Sequence, residues 1–395
     1  MKNKRTPLEI FMKTTFFALF TMLLCSLGAA EPAPKGSPYG PTVEIPDGYR
    51  CEYTDDIRNR PVFRGVMSPD VEKCTVKDLE DLASWGANLI RWQIGTPKDK
   101  KELADIAAFE AWYAKRIDDL EKLMPAFERL GIHVIIDMHT PPGGRYKVAG
   151  ELPPGAIKEA AAFAQQFRMF SEEKYLDSFI RIWRQIATRF KGRKNIWGYD
   201  LCNEPCQNTP VPFNYWDCQY RAAKAIREID PHTPVIIESN GMCGIGSYAD
   251  MQPLPLKNII YQVHIYIPGA YTHQGVGSSW KDLKAGKFIT YPKDVGGKRY
   301  LRSNLATVRS FQEEYGAIIF CGEFSAIRWA PGAEKYVRDV ISLCEEYGWS
   351  WTYHAFRESH FWSVEHEPDF NAVTPAKEDT PLKKVLLKYF SRNRR

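Results

Sequence analysis

No CxxC pair occurs among the nine cysteines, so zinc ribbons and thioredoxin-type redox centres lack the thiolate spacing they need. His-x-His and metal-spaced acidic clusters are also missing, which leaves a metal hydrolase only the scattered set Asp137, His139 and His264. Low-complexity tracts, blocks of like charge and self-similar periods are absent, and their absence excludes disorder, collagen and repeat arrays. Charge of one sign is scarce: the net value is +5, and residues 1–30 supply +3 of it. The remainder is too small to attract a polyanion, so no nucleic acid partner is expected.

What is present is a chain of 395 residues, 44% hydrophobic and 13% aromatic, long enough to bury a large core without metal or disulfide staples. Residues 1–30 read as a signal peptide. Lys2, Lys4, Arg5 and Lys13 precede an apolar run from Phe16 to Leu27, and the small residues Gly28 and Ala30 suit cleavage before Glu31. That run is shorter than the roughly 20 residues a membrane span takes; an uncleaved anchor is the alternative. A lipoprotein site at Cys25 would place bulky Leu24 where a small residue belongs. The mature protein is therefore expected to be secreted or periplasmic, with no stable membrane partner. Pro32, Pro34, Gly36, Pro38, Gly40 and Pro41 open an extended linker. Residues 31–58 are expected as linker or extension and 59–395 as one domain.

Eight short β-rich runs recur along that domain: 62–66, 88–94, 133–139, 196–202, 235–239, 259–266, 318–324 and 349–356. Helical periodicity follows seven of them, over 71–85, 111–130, 173–190, 217–229, 300–315, 333–347 and 381–391. The segment after the fifth run is too short for a helix. Near-continuous apolar strands alternating with helices predict a parallel sheet covered on both faces, and eight such units predict a (β/α)8 TIM barrel with long loops. A doubly wound sheet is the rival, but no Gly-rich fingerprint follows the first strand.

Barrel chemistry sits at the carboxyl ends of the strands. Those ends offer Arg91, Asp137, His139, Asn203, Glu204, His264, Tyr266, Glu323, Trp351, Tyr353 and His354. Glu204 and Glu323 end strands nearly opposite each other, as the cleavage of a glycosidic bond requires: one carboxylic acid for the leaving oxygen, one carboxylate for the anomeric carbon or a water. Alternation along the strands puts Cys202 on the face of Glu204 and Cys321 on that of Glu323, making both interior packing thiols. Cys206 could bridge Cys243 or Cys218 across neighbouring loops.

Five motifs in order carry a resemblance. Asn88-Leu-Ile-Arg91, Asp137-Met-His139, Ile196-Trp-Gly-Tyr-Asp-Leu-Cys-Asn-Glu-Pro205, Val263-His-Ile-Tyr266 and Gly322-Glu323-Phe324 resemble the second, third, fourth, sixth and seventh strands of glycoside hydrolase family 5, the cellulase-like family of the retaining barrel clan. The likeness spans about residues 60–392. It implies Glu204 as acid/base and Glu323 as nucleophile of a double displacement. It further implies Asn203 on the sugar 2-hydroxyl, Tyr266 orienting the nucleophile, Arg91 keeping Glu323 ionised, and His139 and His264 lining the reacting subsite. The family commonly places Trp on strand eight as a subsite floor. Here Gly348-Trp-Ser-Trp-Thr-Tyr-His354 aligns two ways, with Trp351 the favoured floor and His354 the other.

Tyr271, His273, Trp280, Trp216 and Phe361-Trp362 in the upper loops are further candidates for sugar stacking, or for packing of the loops themselves. Pro141 to Lys174 could wall off one end of the groove. The resemblance implies a glycoside hydrolase acting without cofactor or metal, as a monomer, on a polysaccharide or oligosaccharide. β-1,4-Glucan is the first expectation, with mannan, xyloglucan and β-1,3-glucan behind it; a catalytically inactive carbohydrate-binding barrel is the alternative class.

Overall fold

Leu-Ile-Arg-Trp-Gln-Ile (89–94) is buried at every position, which a strand achieves only when both of its faces are covered. The computed structural model describes residues 39–147, 165–276 and 280–393. The expected signal peptide, and residues 148–164 of the segment after the third strand, lie outside them. Eight strands form a closed parallel barrel: β1 (Arg64–Met67), β2 (Leu89–Ile94), β3 (His133–Met138), β4 (Ile196–Asp200), β5 (Val235–Glu238), β6 (Ile259–Ile265), β7 (Ile318–Phe324) and β8 (Ser350–Tyr353). Each pairs with its neighbours in sequence, and β8 returns to β1 through Arg64 opposite Trp351. The expected TIM barrel is the observed one.

The main helices are α1 (Val76–Ser84), α2 (Ile106–Leu130), α3 (Glu173–Phe190), α4 (Tyr215–Arg227), α5 (Gly297–Asn304), α6 (Ala306–Tyr315), α7 (Ala333–Tyr347) and α8 (Pro381–Phe390). Caps set their ends where periodicity alone misjudged them. Thr75 and Asp78 form a capping box that delays α1 to residue 76. Asp105 accepts from the Ala108 N–H and starts α2 at 106, five residues earlier than the apolar spacing shows. Gly131, with φ +68°, ends α2 in the left-handed region that favours glycine. The single helix expected over 300–315 is two, meeting at Leu305.

Two apolar layers result. Between barrel and helices runs the large core. Inside the barrel, Phe63, Leu89, Ile135, Trp197, Ile236, Ile260 and Phe320 form a separate plug. Residues 39–58 pack against the barrel: the Cys51 N–H donates to the Tyr315 carbonyl at 2.8 Å, and the Tyr53 hydroxyl to that of Ile259 at 2.7 Å. One step above the plug, the inward positions turn polar: Leu89 gives way to Arg91, Ile135 to Asp137, Ile236 to Glu238 and Ile260 to Gln262. An apolar seal beneath an ionised layer keeps water from reaching the charges from below.

Simple alternation fails at two bulges. Between β6 and β7 the register passes from Val263–Cys321 to His264–Glu323, leaving Gly322 unmatched. A Cβ on Gly322 would meet the Gln262 side chain at 2.3 Å, so only glycine fits this step. Glu323 therefore turns inward while Cys321 faces outward in the large core, beside Cys344 of α7. A similar shift beside β4 skips Trp197. Cys202 accordingly packs in the outer core, while Asn203 reaches the interior. Both thiols are buried, as expected, but neither lies beneath its glutamate. All eight cysteines of the described residues are thiols, so Cys206, Cys218 and Cys243 form no bridge.

Candidate active site

Arg91 is the hub of the polar layer and has no exposed surface. Its Nε donates to Asp200 at 2.7 Å, Nη1 to Glu323 at 2.7 Å, and Nη2 to Glu238 at 3.1 Å and to the Asn203 side-chain oxygen at 3.0 Å. Asp137 lies 3.3 Å from Nη2. One cation among four buried carboxyls leaves excess negative charge, which is costly in a dry interior. The site answers in two ways. Burial raises the carboxyls of Asp200 and Glu238 above the usual range. Burial alone would lower His264, but Glu323, Glu238 and Glu204 push it up to about 9.

Glu323 is the exception among these carboxyls. Burial acts to raise it, yet His264 and Arg91 outweigh that effect and hold it well below the usual carboxylate range. Its Oε2 accepts from the Tyr266 hydroxyl at 3.1 Å. Across the cleft, Oε1 of Glu204 lies 3.0 Å from Nδ1 of His264. One oxygen of each glutamate and a ring nitrogen of His264 fall within 4.8 Å of one another. Glu204 has φ +51°, a left-handed conformation uncommon for a residue with a side chain. Its N–H donates to Oε2 of Glu238 at 2.7 Å, and its carbonyl accepts from Arg145 at 2.8 Å.

The remaining polar residues fix each other. Because the Asn203 oxygen takes an Arg91 donor, its amide nitrogen points to Nε2 of His139 at 3.3 Å, while Nδ1 of His139 meets Asp137 at 2.9 Å. Four rings wall the mouth: Tyr266 to His273 at 5.1 Å, His273 to Trp362 at 5.5 Å, Trp362 to His354 at 5.2 Å and His354 to Tyr266 at 6.3 Å. Nε2 of His354 pairs with Glu358 at 2.9 Å, which raises the imidazole against the effect of burial.

Arg91, His139, Asn203, Glu204, His264, Tyr266, Glu323 and His354 thus converge. Trp351 does not. Its indole is fully buried, stacked on Phe390 of α8 at 5.6 Å, with Nε1 donating to Glu345 at 3.0 Å. The β8 register turns Trp351 and Tyr353 toward the helices and leaves His354 at the cleft, so the favoured alignment was the wrong one. Arg91 is also too deep to touch a ligand and acts through the carboxylates and Asn203 around it. Among the loop aromatics, Trp216 and Tyr271 are buried. Trp362 was only one loop aromatic among several in the sequence, and its cleft position depends on contacts with His273 and His354.

Glu238 closes the apolar strand Val-Ile-Ile-Glu away from any matched motif and reads from sequence as a groove residue or an ion pair; the structure makes it an ion pair of Arg91. Asp200 was hidden inside a matched motif. Among the described residues, two groups present three donors within 4.8 Å, Glu238–Cys243–His264 and Glu204–His264–Glu323. Both share His264, and the first is engaged internally, with the Cys243 thiol donating to the Gln262 carbonyl at 2.9 Å.

Comparison with known proteins agrees with this fold. Residues 56–359 match the family model described as cellulase, glycosyl hydrolase family 5. The chain is 24% identical over 310 residues to endoglucanase C of Acetivibrio thermocellus, covering 71% of this chain and 83% of that protein. It is 23% identical to cellodextrinase A of Ruminococcus flavefaciens, covering 69% and 71%. Its fold is similar to that of endoglucanase Cel5A from Thermotoga maritima, with a TM-score of 0.61, 22% identity and coverage of 84% and 100%. Cel5A has also been solved with mannotriose and with cellobiose. A family match over most of the barrel, with paired glutamates at the strand ends, makes this chain a glycoside hydrolase belonging to glycosyl hydrolase family 5.

Proposed function

We propose that the protein is a retaining β-glycan hydrolase with β-1,4-glucan as its first substrate, and that Glu323 and Glu204 carry the reaction. The observation behind this reading is their separation. Carboxylate oxygens within 4.8 Å match the roughly 5 Å of a nucleophile and acid/base pair better than the wider gap that admits a water between them.

Glu323 bonds to the anomeric carbon as the glycosidic C–O bond breaks, and the Glu204 carboxyl gives its proton to the departing oxygen. The leaving chain exits. Water then attacks the same carbon and passes a proton to Glu204, and the bond to Glu323 breaks. His264 and Arg91 keep the Glu323 carboxylate ionised and Tyr266 helps to aim it, which is the protein's main contribution to the first step. Asn203, held by Arg91 and His139, meets the 2-hydroxyl of the reacting sugar. Tyr266, His273, Trp362 and His354 enclose that sugar from the side. All of these residues lie within the proposed catalytic domain at 59–395. The basic and apolar pattern of residues 1–30 supports export.

The relatives named endoglucanase and cellodextrinase favour glucan, and the Cel5A complex with mannotriose favours mannan as the second reading. The test is product release from β-glucans, mannans and xylans, with Glu204→Gln and Glu323→Gln as controls and the first-formed anomer read by NMR. Activity on glucan, lost in both variants and giving the β-anomer, is expected. An α-anomer would overturn the double displacement, and activity confined to mannan would replace the substrate.

A further inference from the structure

The mechanism gives Glu238 no contact with substrate, yet this carboxylate touches the supports of both proposed catalytic glutamates. It ends β5 with no exposed surface. Its own peptide is clamped by Gln219 of α4, which accepts from the Glu238 N–H at 2.9 Å and donates to its carbonyl at 3.0 Å. Three donors converge on the carboxylate: Arg91 Nη2 at 3.1 Å, the Glu204 N–H at 2.7 Å, and the Gln262 side-chain amide. Nε2 of His264 lies 3.6 Å away.

These contacts are not equally dependent on Glu238. Arg91 is also anchored by Asp200, Asp137 and Glu323, so its orientation is over-determined. The peptide of Glu204 is different. It sits at φ +51°, a left-handed conformation unfavourable for a residue with a Cβ. A short hydrogen bond from its N–H to an oxygen of a rigid, buried carboxyl is the kind of contact that holds such a turn. The direction of the Glu204 side chain follows from that turn. We propose that Glu238 is a positioning residue for Glu204, fixing the left-handed turn that aims the acid/base carboxyl at the glycosidic oxygen. The inference rests on the function proposed above.

Glutamine at this position keeps the volume but turns an NH2 toward one of three donors, so the turn loses its acceptor or Arg91 meets a donor. The distinguishing measurement is dependence on the leaving group. An acid that is misplaced matters when the leaving group needs a proton and matters little when it does not. Wild type, Glu204→Gln and Glu238→Gln are compared on aryl β-glycosides of the disaccharide that wild type releases, from phenyl to 2,4-dinitrophenyl.

For Glu238→Gln we expect kcat/KM to fall by about tenfold to 100-fold on the phenyl glycoside, and by under about threefold on the dinitrophenyl glycoside. Glu204→Gln should give the same trend, steeper. An equal loss on every leaving group, or no loss, would overturn the proposal, because a merely structural role scales all substrates alike. Should circular dichroism show Glu238→Gln unfolded, Glu238→Asp, which withdraws the carboxylate from the Glu204 N–H, is judged by the same slope. A flat Glu238 slope beside a steep Glu204 slope overturns this inference alone. Silence of wild type on every glycoside overturns the function and the inference together.

Discussion

The guanidinium of Arg91 donates to the carboxylate of Glu323 across 2.7 Å, from a position with no exposed surface. The cation that tunes the proposed nucleophile is therefore shielded from solvent and salt, and its effect is large because the site is dry.

Arg91→Lys should keep a positive charge but lose the fork that reaches Asp200, Glu238 and Glu323 together. Glu323 would be held less firmly ionised, so the acidic limb of the kcat/KM profile should move to higher pH. Arg91→Met leaves the four carboxyls without their shared guanidinium and should cost about 3–5 kcal/mol of stability, read as a lower urea midpoint. An unchanged acidic limb in the lysine variant would show that Arg91 does not set the charge of Glu323.

His264 makes stability depend on alkaline pH. Its folded value of about 9 lies above an ordinary value of about 6.5. The stabilisation it brings is complete below about pH 6.5 and lost as the pH rises to about 9, on the order of 3 kcal/mol. Glu323 has the opposite sign: its depressed value stabilises above about pH 4.3, and that contribution disappears on acidification. Asp200 and Glu238, raised by burial, also lose stabilisation as the pH climbs above about 4, so the melting temperature should be highest at about pH 4 to 5 and decline toward pH 9. His264→Asn should flatten the decline; a melting temperature that climbs toward pH 9 would refute the assignment.

Two tryptophans should behave oppositely. Trp351→Ala empties a site stacked on Phe390 and should cost about 3–5 kcal/mol of stability, with KM of the remaining folded protein little changed. Trp362→Ala removes one ring of the cleft wall and should raise KM by about tenfold, equivalent to about 1.4 kcal/mol, with a smaller drop in the urea midpoint than Trp351→Ala because Trp362 is only partly buried. The reverse pattern would return Trp351 to the subsite floor.

With no disulfide among the described cysteines, a protein begun after residue 30 should show eight reactive thiols when denatured without reductant. Six thiols would mean one bridge, with Cys206, Cys218 and Cys243 the first places to look.

Much of this molecule is written in local pattern. Apolar runs of strand length separated by helical periodicity describe a barrel, since each run must be covered on both faces. Asn-Glu-Pro and Gly-Glu-Phe at strand ends mark the two carboxyls, since barrel chemistry collects there. Helix ends were less legible: capping by Thr75 and Asp105 decides them, and periodicity carries no information about caps.

Tertiary structure alone decided which side chains face one another. Alternation places Cys321 with Glu323, but the bulge at Gly322 separates them, because the barrel interior at that level is filled by Gln262. Two registers were open for β8, and pairing of Arg64 with Trp351 turned the indole outward and His354 into the cleft. Glu238 gained its place from contacts with residues 34 and 147 positions away in sequence, Glu204 and Arg91. Sequence by itself determined the elements and the two proposed catalytic carboxyls, because those depend on neighbours a few residues apart. Which groups hold those carboxyls in charge and position was decided by closure of the ring, because only there do distant strands come within hydrogen-bonding distance.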